Sequence, residues 1–309
     1  MYTANDNSTN TNTTATTATS ATTATAAADF TLTEQRIAEY ADYLRTQELA
    51  EGTIDNYLRH LRLFADFLKD ADCGISQKSV AEWKNTLNNK NLAVGTVNQM
   101  IISVSRFLKY AGLQRCAVRT NKTQRKSFID PSRQLDRSDF DTLLARAVSD
   151  GQSRLAHILE TIFSTGIRVS ELQFITAEAA KKGYADVFNK GKQRRVIFSG
   201  KLRGKLSRYA RENNITAGPL FVTRTGRPIS RRQIWGEMKK LAEKVGLELR
   251  KVFPHNLRHL FARTYYNKVK NLPALADLLG HSSIETTRIY LVTTAEEHIR
   301  ILDSLNLVT

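Results

Sequence analysis

The feature that most limits what this chain can become is a helical apolar repeat. It runs from Phe30 to about Leu113, stops over a basic stretch, and resumes after Leu135. Ile54, Tyr57, Leu58 and Leu61, followed by Phe64, Phe67 and Leu68, recur three and four apart, which places them on one helix face that has to be buried against other helices. Thr53 stands where an N-cap would. The spacing predicts further helices over 33–48, 77–89 and 95–111, with Gly52, Gly74 and Gly112 at their junctions, so that four or five helices form a first domain over 30–114. In the second block, helices are expected near 136–149 and 153–164, the latter carrying Leu155, Ile158, Leu159, Ile162 and Phe163 on one face. The apolar period then shortens. Residues 184–188 and 194–198 read as short strands around the turn Asn189-Lys190-Gly191-Lys192, and helical patterns return from about 200, broken at Gly218-Pro219 and Gly226-Arg227-Pro228. The expected fold class is mainly α, in two domains, with a small antiparallel β-sheet in the second, over 135–309.

Residues 1–29 are almost entirely Thr, Ala, Asn and Ser, too poor in apolar surface to offset ordering entropy, and are expected to form a disordered tail. Over 115–134 the apolar pattern gives way to Arg115, Arg119, Lys122, Arg125, Lys126 and Arg133, with Pro131 near the end. Such a linker is either an ordinary solvated connection or a strap that follows DNA phosphates. The whole chain carries 46 Lys+Arg against 30 Asp+Glu, a net charge of +16. That favours a polyanionic partner, nucleic acid being the commonest, although an anionic membrane surface or plain solubility gives the same total. Cys73 and Cys116 are far apart and belong to no Cys/His cluster, which argues against a disulfide framework or a structural zinc site and suits a reducing cytosol. No apolar run approaches the roughly 20 residues of a membrane span, and no signal pattern opens the chain. A cytoplasmic, nucleoid-associated protein is expected.

Three segments carry groups suited to chemistry. In Thr165-Gly166-Ile167-Arg168-Val169-Ser170-Glu171-Leu172 a helix ends at Gly166 and another starts, placing Arg168 and Glu171 three apart on one face. Pro254-His255-Asn256-Leu257-Arg258-His259 opens a helix with His255 and Arg258 one turn apart, while His259 reads as a polar terminus residue pointing elsewhere. In Leu278-Leu279-Gly280-His281-Ser282-Ser283-Ile284-Glu285-Thr286-Thr287-Arg288-Ile289-Tyr290, Gly280 closes a helix, Ser282 with Glu285 looks like a capping box, and Tyr290 falls about two helical turns later. Taken singly, the Arg–Glu pair is a surface ion pair and the tyrosine is core or surface packing.

Together, TGIRVSEL, the lysine of the NKGK turn, HNLRH and LGHSSIETTRIY, in that order, resemble the tyrosine recombinases of the integrase family, most closely the short Xer-type members. His281 follows Arg258 by 23 positions, and Tyr290 follows His281 by 9, as that pattern requires. The resemblance implies a site-specific recombinase that cleaves and rejoins DNA through a 3′-phosphotyrosyl link to Tyr290, with Arg168, Lys190, His255, Arg258 and His281 around the scissile phosphate. It implies Lys190 as general acid, Lys192 being the alternative and a DNA contact, and Glu171 as a residue that orients a His or Arg. Arg115, Arg119, Lys122, Arg125 and Lys126 would follow the DNA backbone. It further implies a two-domain clamp with an N-terminal core-binding (SAM-like) domain, and no metal, cofactor or membrane. The partners would be double-stranded DNA with inverted-repeat core sites, a homo-tetramer on two sites, and accessory DNA-bending proteins. The rival expectations are a type IB topoisomerase-like relaxation enzyme and an inactive DNA-binding accessory protein. The chain departs from the family pattern over 173–183, at Leu260 and at Leu291-Val292-Thr293, none of which removes a catalytic group. An amphipathic segment over 294–302 either packs on its own domain or docks on a neighbour.

Overall fold

The computed structural model describes residues 30–123, 130–189, 191–290 and 295–305. The 1–29 tail, Arg125, Lys126 and Lys190 lie outside them, and for Lys192 only the backbone is described. The described chain is mostly helical, with a two-stranded antiparallel sheet. It divides into two compact units between Arg125 and Lys126.

The first unit contains helices α1 (Glu34–Thr46), α2 (Glu51–Asp70), α3 (Gln77–Asn89) and α4 (Val94–Tyr110). The predicted stripe on α2 is buried, with Ile54, Leu61 and Phe64 at 0% exposure, and it shares a core with Ile101, Val104 and Phe107 of α4. Trp83 of α3 closes that core against Phe64, ring centroids 4.9 Å apart. Thr53 is not the cap of α2. The helix starts a turn earlier, behind Ala50, so Gly52 also lies inside it. Leu49, which packs on this core, holds the chain close enough for the helix to begin before the first fully buried residue.

The basic stretch is fastened to the first unit for its first several residues. Cys116 is buried in the unit's core, Lys84 donates to the Arg119 carbonyl at 2.8 Å, and Asn98 and Asn121 exchange two hydrogen bonds of 2.8 and 2.9 Å. Arg115, Arg119 and Lys122 remain exposed.

The second unit is built on α5 (Arg137–Ser149) and α6 (Ser153–Thr165), followed by a three-ten helix (Val169–Phe174) and a short α7 (Ala177–Lys182). The segment that departs from the family pattern thus forms α7 and an isolated bridge between Thr176 and Pro219, not a further strand in the sheet. Strands β1 (Tyr184–Asn189) and β2 (Lys192–Ile197) pair with Asn189 opposite Lys192. That register leaves a two-residue turn, and Gly191 supplies its positive φ of 72°. Helices α8 (Gly200–Glu212), α9 (Arg231–Lys244), α10 (Pro254–Val269), α11 (Leu272–Leu279), α12 (Ile284–Arg288) and α13 (Ala295–Ser304) complete the unit. Leu155, Ile158, Leu159 and Ile162 of α6 are all within 1% exposure, at the centre of the second core. On α13, Ile299 and Leu302 are more than half exposed, so these apolar side chains are not packed on the unit that carries them.

Candidate active site

The site is assembled where the end of α6 meets α10 and the end of α11. Gly166 terminates α6 with φ +62°, and a Cβ there would sit 2.4 Å from Phe261 Cδ1 and 2.8 Å from Leu279 Cδ2. Only glycine therefore lets α6 close on α10 and α11. That approach presents the Gly166 carbonyl to Arg258 of α10, whose Nη1 donates to it. Arg258 Nη2 donates to the Leu279 carbonyl at 2.8 Å and lies 2.9 Å from His281 Nε2. Burial at 1% exposure pulls the guanidinium down to about 10, an effect opposed by the neighbouring Tyr290. Arg258 is still a cation at neutral pH.

Arginine has only donors, so His281 Nε2 must accept from Arg258, and its proton resides on Nδ1, which donates to Thr287 Oγ1 at 2.8 Å. Burial and then the Arg258 charge push His281 down to about 4, so this neutral tautomer holds over the physiological range.

A second anchor is Glu171, 1% exposed in the three-ten helix. It pairs with Arg168 Nη1 at 3.0 Å, accepts from the Arg168 backbone N–H at 3.0 Å, and accepts from Arg194 Nη2 at 2.6 Å. Arg194 Nη1 in turn donates to the Leu278 carbonyl at 3.1 Å, so one carboxylate ties β2 and the end of α11 to the segment carrying Arg168. Burial lowers Arg194, and the charge of Glu171 partly restores it. Gly280, with φ +64°, leaves room for this arginine, since a Cβ there would fall 2.2 Å from Arg194 Cδ. Arg168 keeps a third of its side chain exposed. With Glu171, Arg194, His281 and Ser282 it lines a cleft of about 700 Å³. The hairpin that carries Lys190 adds Val187 and Gln193 to the wall.

Tyr290 is 3% exposed and packs with Ala262, Leu275 and Leu279. It is not on a helix: α12 ends at Arg288, and Tyr290 sits in the following turn, its N–H bonded to the Thr287 carbonyl at 3.0 Å. Three imidazoles surround its ring, with centroids at 4.3 Å (His259), 5.5 Å (His281) and 6.0 Å (His255). His259 therefore points at the tyrosine and not elsewhere. Residues 255, 258, 259 and 262 form one i, i+3, i+4, i+7 stripe on α10, and pairing His255 with Arg258 alone overlooked the fourth-residue neighbour. Arg194 was the other omission. Its signal was the two-residue alternation of β2, in which residue 194 shares the inward face with Val196 and so demands a carboxylate partner. The expected Ser282–Glu285 capping box does not form. Ser283 caps α12 by accepting from the Glu285 N–H at 3.2 Å, which leaves Ser282 on the cleft wall.

The three imidazoles set a pH dependence. Burial pushes His259 down to about 3 and, with nearby Arg258 and Arg168, lowers His255 as well. Each is neutral when folded and titrates at its ordinary value, near 6.5, when unfolded. Their stabilisation is complete above about pH 6.5 and is lost as the pH falls toward the folded values near 4 and 3. Thermal melts should show the second unit losing stability steadily from pH 6.5 to 4, with uptake of two to three protons on unfolding at pH 5. A flat profile over that range would contradict the neutral cluster.

Among the described residues no group of three or more His, Cys, Asp or Glu is placed to hold a metal ion, and no helix is long and apolar enough to cross a membrane.

A helical two-unit chain with a tyrosine, buried arginines and three imidazoles at one point defines a class that sequence comparison specifies. Residues 133–297 match the phage integrase family, and residues 37–115 match the phage integrase N-terminal SAM-like domain. The chain belongs to the phage integrase family. It is 36% identical over 160 residues to a tyrosine recombinase XerD of Xanthomonas campestris pv. campestris, a match covering 47% of this chain and 49% of that one. The chain thus spans about half the length of this curated relative. A tyrosine recombinase XerC of Treponema denticola is 28% identical over 282 residues, covering 81% and 91%. The fold is shared with lambda integrase in the crystal structure of its tetramer bound to a Holliday junction, at TM-score 0.69 and 17% identity over 87% of this chain and 80% of that one.

Proposed function

We propose that this chain is a site-specific DNA recombinase that cleaves and rejoins strands through Tyr290. The observation that carries the reading is the placement of the Tyr290 ring among His255, His259 and His281, the last of which lies 2.9 Å from the buried Arg258 guanidinium. In the step proposed, the phenolic oxygen bonds to phosphorus, the bond from phosphorus to the 5′-oxygen breaks, and the tyrosyl proton passes to His255. The leaving 5′-oxygen takes a proton from Lys190, with Lys192 as the alternative donor. Arg258 and Arg168 are fixed donors for charge developing on the non-bridging oxygens. Glu171 holds Arg168 in place.

A bound phosphate oxygen would compete with His281 Nε2 for Arg258. Once Arg258 turns to phosphate, the Thr287 hydroxyl can donate to Nδ1, and the His281 proton moves to Nε2, where it faces the phosphate. Tyr290, nearly enclosed at rest, has to swing toward the cleft for attack. Because the phosphotyrosyl bond conserves the phosphodiester, rejoining is the same reaction reversed.

The proposal extends to double-stranded DNA with inverted-repeat core sites and to a tetramer on two sites, for which the exposed Ile299 and Leu302 of α13 offer a docking surface. It assigns core binding to 30–114, backbone contacts to Arg115, Arg119 and Lys122 in a 115–134 linker, and strand chemistry to 135–309. Accessory DNA-bending proteins and a place on the nucleoid complete it. The test uses a plasmid carrying two copies of the duplex that the protein selects from a randomised pool, beside a supercoiled plasmid without it. Recombinant circles from the first and an unrelaxed second plasmid are expected. Efficient relaxation of the second would overturn the reading in favour of a type IB topoisomerase.

A further inference from the structure

The first unit holds a polar groove that the strand chemistry does not use. It lies between α2 and α4, has a volume of about 410 Å³, and is lined by Asn56, Arg59 and His60 on one side and Thr96 and Gln99 on the other, with no carboxylate among its lining residues. Asn56, Arg59, Thr96 and Gln99 are exposed, but His60 is 5% exposed and chemically fixed. Its Nδ1 is 2.8 Å from Ser103 Oγ, and Ser103 Oγ donates its single proton to the Gln99 carbonyl at 2.8 Å. Ser103 can therefore only accept from His60, so the ring proton is on Nδ1 and Nε2 is a bare lone pair. Burial and the neighbouring Arg59 lower the pKa of His60, which keeps the ring neutral. Nε2 is bonded to no described residue and is not sealed from solvent, and with Nδ1 turned to Ser103 it is the edge left for the groove.

We infer that His60 Nε2 is a specificity contact that accepts a hydrogen bond from the amino group of a DNA base, adenine or cytosine, presented in the major groove. This rests on the proposed action on DNA. A phosphate offers only acceptors, and an acceptor fixed in the wall repels it, so the wanted ligand group is a donor. Exposed Arg59 and Arg106 provide the positive border that draws a duplex to this face, and adenine N6 and cytosine N4 are the donors a major groove shows. Gln99 and Thr96, across the groove, can donate to the acceptor beside that amino group.

The experiment is selection from a randomised duplex pool by the full chain, compared with His60→Phe and Ser103→Ala. Wild type should prefer A or C over G or T at one position of each half-site by about five- to ten-fold, the size of one hydrogen bond. His60→Phe should bring that ratio to about one and leave the other positions intact. Ser103→Ala frees the ring to present N–H, and should shift the same position toward G or T. An unchanged preference profile in both variants, or a loss of affinity equal for all sequences, overturns the inference while leaving the recombinase reading standing. A wild-type chain that selects no sequence overturns both.

Discussion

Replacing Tyr290 by phenylalanine is expected to abolish the covalent protein–DNA adduct, a fall of at least about 10⁴-fold, because no other group supplies the attacking oxygen. The same change should barely alter the fold. The ring keeps its place among Ala262, Leu275 and Leu279 and its contacts with the three imidazoles, and the loss of one hydroxyl costs at most about 1 kcal/mol. Adduct formation on a nicked duplex, measured beside a thermal melt, separates the two effects. An adduct of undiminished yield from Tyr290→Phe would remove the nucleophile assignment.

The second large effect concerns stability. Glu171→Ala should cost about 3 to 5 kcal/mol, the usual penalty for removing one partner of a buried ion pair. Glu171 is 1% exposed, and Arg194 keeps only 12% of its side chain exposed, so the orphaned guanidinium has little water to turn to. The loss also releases Arg168 from its side-chain and backbone bonds to the carboxylate, so cleavage should fall with stability. Glu171→Gln keeps the shape and one acceptor, and should fall between. Denaturant melts give the order wild type, Gln, Ala; an Ala variant within 1 kcal/mol of wild type, an order-of-magnitude margin, would show that the carboxylate is not the anchor of this corner.

How much of this was legible in the sequence depends on which physical signal each residue leaves. The α2 and α6 stripes were plain because their apolar positions are buried or packed against the cores, and a 3.6-residue period survives errors at the ends. Helix starts were less plain: Thr53 has a capping side chain, yet Leu49 packing moves the start back to Glu51. Gly166 was readable as a helix end, but its stronger role, the approach of Phe261 and Leu279, depends on elements more than 90 residues away. Tyr290 looked helical because Ile284 to Arg288 is helical, and two further residues of helix cannot be distinguished from a turn by spacing. Arg194 and His259 were hidden for a different reason. Each is a polar residue whose meaning comes from a partner in a distant segment: Glu171 for the first, the Tyr290 ring for the second. The motifs marked which segments meet, and the contacts between them decided which further residues the corner needs.

Where the DNA becomes attached tests the role of Tyr290 most directly. The adduct trapped on a nicked duplex can be digested with protease and nuclease, and the linked peptide sequenced by mass spectrometry. The attachment should lie on Tyr290 through a 3′-phosphate, and the released strand should carry a free 5′-hydroxyl that a kinase labels without prior phosphatase. Attachment to Tyr265 or Tyr266, which pack in the same cluster, or a link through a 5′-phosphate, would contradict it.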